Sequence, residues 1–189
     1  MSRVLKVENV SYAWSFRGGK AEALLSVSAE FRSGVPHVIC GASGSGKTTL
    51  ALLLSGLITD NLGKIRLDQQ AIADCRKQIA YIFQFPESIF FEDSVEAELR
   101  QITGDDSTGT AEEYFQQLGI RFEDIAQKHP FHLSEGYSRL VATVLQMSRD
   151  PLVLIADEPT IGLDWEHHAQ MTKLLKGWIT PERILLIIS

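Results

Sequence analysis

The sequence predicts an α/β fold with a mainly parallel sheet, antiparallel strands near its amino end and an α-helical subdomain inserted in the core. Three observations carry this prediction. "HVIC" (37–40) runs into a glycine-rich loop and then the apolar "KTTLALLLSGL" (47–57), a strand–loop–helix unit. "LVLIA" (152–156) and "ILLII" (184–188) are unbroken apolar runs of strand length, the pattern of strands covered on both faces. Between these stretches, residues 85–128 are charged and helix-prone, with no alternating pattern. Strands that alternate with helices around an all-helical insert describe a parallel α/β protein.

Taken in order, 4–10 and 25–31 read as antiparallel edge strands, and strict alternation puts Leu25, Val27, Ala29 and Phe31 on one face. "SYAWSFRGGK" (11–20) carries Tyr12, Trp14 and Phe16 on a loop or strand end. Gly34 and Pro36 mark a turn before "HVIC", and "GKIRL" (63–67) and "IAYIF" (79–83) are further strands. Helices are predicted over 94–100 and 111–118, on either side of the polar linker "TGDDSTGT" (103–110). A helix over 165–178 and the final strand complete the chain. This makes 1–189 a single domain, with 1–84 and 140–189 as core and about 85–139 as the helical subdomain.

Composition narrows the classes of function. With 189 residues and 44% hydrophobic content the chain can bury one core. Its 18 basic and 24 acidic residues leave a net charge of −6, which argues against nucleic acid as a partner. Cys40 and Cys75 lie far apart without metal-ligand spacing and are expected to be small buried hydrophobes in a reducing compartment. "MSRVLKVENV" has no apolar signal core, and no apolar run approaches the ~20 residues of a membrane helix. The expectation is a cytoplasmic protein that reaches a membrane only through a partner.

"GASGSGKTT" (41–49) fits G-x-x-x-x-G-K-[ST], the Walker A phosphate loop, and has the strand before it and the helix after it that the motif requires. Glycines let successive backbone N–H groups point inward, and the helix adds its positive end to the same anion site. Gly41, Ala42, Ser43, Gly44, Ser45, Gly46, Lys47, Thr48 and Thr49 are therefore the phosphate-binding candidates. Lys47 would neutralise the β- and γ-phosphates, and the Thr48 hydroxyl would ligate Mg²⁺. "LVLIADEP" sets Asp157 and Glu158 at the carboxyl end of a buried strand, where open α/β sheets bind ligands. Asp157 is placed to hold Mg²⁺, commonly through water, and Glu158 is the candidate general base for the attacking water.

"LSEGYSR" (133–139), about twenty residues before the Asp-Glu pair, resembles the Leu-Ser-Gly-Gly-Gln signature of ATP-binding cassette (ABC) ATPases. The order of phosphate loop, "FQ" (83–84), signature, "ADEPT" (156–160) and "GLD" (162–164) resembles the whole family layout, over essentially the entire chain. The resemblance implies a phosphate-loop NTPase core of the RecA-like kind and an ATPase that uses ATP and Mg²⁺. It also implies a nucleotide sandwiched head to tail between two cassettes, identical or not. Ser134 and Gly136 would then contact the γ-phosphate held by the partner cassette, and Asp164 would reach across the dimer. Gln84 would touch Mg²⁺ and the attacking water. Trp14 stands at the adenine-stacking position, with Tyr12 as its rival and plain packing of either ring as the alternative.

"FQFPESIFFEDSVEAEL" (83–99) further resembles ATPase subunits of cobalt, nickel and vitamin importers of the energy-coupling-factor type. That implies a transmembrane transporter subunit as partner and a place on the inner face of the membrane. Two positions depart from the signature: Glu135 stands where glycine is usual and Tyr137 where glutamine is usual. A carboxylate there is repulsive if it faces phosphate and neutral in effect if it points away, and the second is the expectation. In the family the strand corresponding to "ILLIIS" (184–189) is followed at once by a histidine that contacts the γ-phosphate. The chain stops one residue short of it, and truncation of the carboxyl end relative to the family is the expectation. The leading reading is an ATP-hydrolysing subunit that powers a transporter through nucleotide-driven dimerisation. The alternatives are a cassette that binds ATP and hydrolyses it poorly, a non-transport cassette ATPase, and a small-molecule kinase on the same loop.

Overall fold

A computed structural model describes residues 2–59, 61–104 and 108–189 of the chain. The described residues form two compact units, one of Met1–Ala80, Leu152–Asp157 and Ile179–Ser189, the other of Tyr81–Pro151 and Glu158–Trp178.

The first unit holds two sheets. One is antiparallel, in the order β2-β1-β4-β5, from β1 (Val4–Phe16), β2 (Gly19–Arg32), β4 (Leu62–Leu67) and β5 (Gln70–Ala71). The other runs β3-β8-β7-β6, from β3 (Pro36–Ile39), β8 (Ile184–Ile188), β7 (Val153–Asp157) and β6 (Ile79–Ile82), which carries the chain on into the second unit. β8 pairs parallel with both β3 and β7. That central place explains the unbroken apolar run of "ILLII", since four of its five residues are buried. Helix α1 (Lys47–Leu54) packs against β7 and β8.

Two sequence expectations change here. β1 and β2 are longer than predicted, and of the two expected settings, loop or strand end, the aromatic stretch takes the strand end, on a hairpin arm with Trp14 opposite Ala21. The predicted alternation also fails at Leu25, which is 71% exposed, while Leu24 is buried. Ser26 has φ 49° and the β1–β2 register shifts near it, so a bulge turns each side chain beyond it to the other face. Cys75 is buried as expected, but Cys40 is exposed, because it follows the edge strand β3 at the mouth of the glycine loop.

The second unit is helical: α2 (Val95–Thr103), α3 (Thr108–Gln117), α4 (Glu135–Met147) and α5 (Trp165–Trp178). Residues 105–107, the centre of the predicted polar linker, lie outside the described residues. Every α4 residue from Ser138 to Met147 is buried, so this helix is the axis of the unit, in contact with α2 and α3. Ser94 caps α2 by accepting from Ala97 N at 3.1 Å, and Ser134 caps α4 by accepting from Tyr137 N at 3.3 Å.

Candidate functional site

The glycine loop joins β3 to α1, as the motif predicted. Gly46 takes φ 91° at the helix start, and a Cβ there would come within 2.4 Å of the Ala23 carbonyl oxygen. Only glycine fits, because strand β2 passes directly over the loop. Lys47 folds back on the loop, its Nζ donating to the carbonyls of Gly41 at 2.6 Å and Ala42 at 3.2 Å. The ammonium thus lies over the glycine loop itself. Thr48 is exposed on the first turn of α1, while Thr49 is buried. Gly41, Ala42, Ser43, Gly44 and Ser45 are all exposed along the same loop.

The long hairpin brings Trp14 to this loop. Its Nε1 donates to Thr49 Oγ1 at 3.2 Å, and the ring remains 42% exposed. Tyr12 packs edge-on against Trp14 with centroids 5.1 Å apart. Of the two rings weighed for adenine stacking, it is Trp14 that touches α1.

Strand register brings Asp157 to the same edge. Ile188 of β8 is level with Ile39 of β3 on one side and with Asp157 of β7 on the other. At ~4.8 Å per strand, Asp157 lies about 10 Å from the strand end that feeds the phosphate loop. Its side chain is 3% exposed. Among the described residues no three His, Cys, Asp or Glu side chains gather to hold a metal. A hydroxyl, one carboxylate and nucleotide oxygens make an oxygen set that fits Mg²⁺, which binds through one or two carboxylates, phosphates and retained waters.

In the second unit, Gln84 Nε2 donates to Glu158 Oε2 at 2.6 Å. Glu158 has φ 48°, a left-handed backbone directly before Pro159, where an extended one is usual. Such a conformation costs about 1–3 kcal/mol and collects at functional positions. Ser134 and Gly136 open α4, whose first N–H groups form an anion-attracting end. The Asp164 carboxylate serves its own helix: Oδ1 accepts from His167 N at 2.9 Å and Oδ2 meets His167 Nδ1 at 2.8 Å. The His167 N–H, and then the ring, hold this carboxyl below its ordinary range.

Sequence reasoning gave no role to Glu98 or Arg139 of this unit, and it tied 83–99 to a membrane subunit without identifying a groove there. Glu98 is a buried carboxylate that accepts from Phe91 N and, at 2.7 Å, from Glu92 N. It braces the turn after Gln84 and leaves the Phe91 ring 80% exposed. Phe85, Pro86, Glu87, Phe90 and Phe131 line a groove of about 490 Å³. Arg139, 1% exposed at the start of the apolar run "LVATVL", donates through Nη1 to the Glu158 carbonyl at 3.4 Å. A lone cation directly before "LVATVL" was the available signal, since buried charge needs partners.

The comparisons with known proteins agree with this layout. A family described as ABC transporter matches residues 24–161. The chain is similar to the energy-coupling factor transporter ATP-binding protein EcfA2 of Staphylococcus aureus (strain MRSA252), 32% identical over 202 residues, covering 98% of this chain and 70% of the relative. Among solved structures it is similar to cbiO1 of Clostridium perfringens, described as part of the ABC transporter complex cbiONQ. That pair shares 28% identity with a TM-score of 0.78, covering 100% of this chain and 78% of that one. The dimeric cassette MJ0796, in a post-hydrolysis state bound to ADP and Pi, has the same fold, with a TM-score of 0.83 at 23% identity over 97% of this chain and 86% of that one.

Proposed function

The chain belongs to the ABC transporter family, and on that premise we propose that it is the ATP-binding and ATP-hydrolysing subunit of a membrane transporter. Its closing on a second cassette, identical or related, would supply the work. The observation that carries this is the register of β3, β8 and β7, which sets the phosphate loop and Asp157 on one sheet edge.

Trp14 stacks on the adenine, and the loop from Gly41 to Thr49 surrounds the phosphates, with Lys47 exchanging its carbonyl partners for β- and γ-oxygens. Thr48 and Asp157 would hold Mg²⁺, which would supply positive charge to offset that of the phosphates. Glu158 takes a proton from the attacking water as the new oxygen–phosphorus bond forms and the bond to ADP breaks. Gln84, on the Glu158 carboxylate, orients that base, and its amide oxygen is the atom left to face metal or water. Ser134 and the N–H of Gly136 serve the nucleotide held by the partner cassette. Asp164 keeps the loop before α5 in shape for the cross-dimer contact.

No helix among the described residues is long and apolar enough to cross a membrane. We assign the contact with a transmembrane subunit to the groove of Phe85, Phe90 and Phe131, which follows Gln84 in the chain. The names of EcfA2 and cbiO1 favour an importer of the energy-coupling type, with the chain peripheral on the inner membrane face. Sedimentation of the Glu158→Gln variant tests the pairing: a dimer with Mg²⁺ and ATP and a monomer with ADP are expected. A monomer under both conditions would contradict it.

A further inference from the structure

The signature departs from the family pattern at Glu135, and the structure gives that carboxylate a partner. Glu135 Oε1 lies 3.5 Å from Nη2 of Arg139, one helical turn on. The guanidinium is buried, its Nη1 donates to the Glu158 carbonyl at 3.4 Å, and its Nε finds no acceptor among the described residues. The same Glu135 oxygen lies over Gly162, where a Cβ would come within 3.2 Å of it. One carboxylate therefore sits beside the loop after Glu158 and reaches the Glu158 peptide through one arginine.

We propose that Glu135 and Arg139 are positioning residues for Glu158, setting the backbone from which the base meets Gln84. This rests on the ATPase reading above. The physical reason is that the Glu158 peptide sits in a costly left-handed conformation, held by few contacts: Ile161 N at 3.3 Å, the Arg139 arm at 3.4 Å and Gln84 on the side chain. A buried guanidinium keeps its aim only while its charge is balanced, and Glu135 is the carboxylate paired with it among the described residues. Glu135 is itself 71% exposed on its side chain, so changing it tests the aim of Arg139 without opening a cavity. It also lines the groove assigned to the transporter subunit, so docking and base positioning share one side chain.

The test compares Glu135→Gln, Glu135→Ala and Glu135→Asp in the full chain by steady-state MgATP kinetics and by amide hydrogen exchange. Glu135→Gln and Glu135→Ala are expected to lower kcat about fivefold, the factor that one hydrogen bond's worth of free energy gives, with KM unchanged. Glu135→Asp should recover part of the loss. In both charge-removing variants, exchange over 158–163 should rise while the phosphate loop at 41–49 stays as in wild type. Unchanged exchange over 158–163 would overturn the proposal even in a chain without turnover. So would a rise in KM at constant kcat, which would place Glu135 on the partner's nucleotide instead. If ATP binding is retained, turnover is absent and exchange still responds as expected, the positioning stands and the hydrolytic reading falls.

Discussion

Gln84 Nε2 meets Glu158 Oε2 at 2.6 Å, joining two side chains 74 positions apart in the sequence. On the proposed reading, Gln84, which leads into the assigned docking groove, orients the base, so a shift of the segment after Gln84 would be felt at Glu158. Glu158→Gln is predicted to keep nucleotide affinity while turnover falls by about 10²–10⁴-fold. Gln84→Ala should lower kcat less, because the base remains and only its aim is lost. Fluorescent-nucleotide titration and phosphate release separate the two effects.

Trp14 offers an optical check. Its exposed ring beside Thr49 should stack on bound adenine, so ATP is predicted to quench tryptophan emission in wild type and to lose much of that effect in Trp14→Phe. Trp14→Ala should weaken ATP about tenfold, the value of one good aromatic contact. Tyr12→Ala should leave affinity near wild type.

Gly46→Ala should abolish nucleotide binding. Its new methyl meets the Ala23 carbonyl at 2.4 Å in a left-handed backbone, so the loop must leave its phosphate-binding shape. Circular dichroism should still show a folded chain, since the clash is local.

Asp164 gives a pH prediction. Its folded pKa lies below the ordinary carboxyl value because of the His167 N–H and ring. Its contribution to stability is therefore complete above the ordinary pKa of about 3.9 and is lost as pH falls through the lower folded value. Asp164→Asn should lower Tm slightly at neutral pH, and the gap from wild type should close at acid pH.

Glu98→Ala should cost about 2 kcal/mol, because the Phe91 and Glu92 N–H groups lose a charged acceptor in a buried place. Urea melts measure this directly.

The parallel strands and the phosphate loop were legible because local rules write them: unbroken apolar runs, and a glycine-rich stretch that opens a helix. Trp14 was legible by position, but its hairpin was not, because a bulge at Ser26 breaks the alternation on which strand reading depends. Strand order was also hidden, since β8, last in the chain, pairs between β3 and β7. The role of Arg139 depends on a carbonyl 19 positions away, and no local pattern records such a contact.

The most direct measurement is Mg²⁺-dependent ATP turnover of this chain against its own concentration, with Lys47→Ala and Glu158→Gln alongside. The account predicts turnover that climbs faster than linearly with concentration and vanishes in both variants, because the site is completed by a second cassette. Turnover proportional to concentration, or surviving in Glu158→Gln, would contradict it.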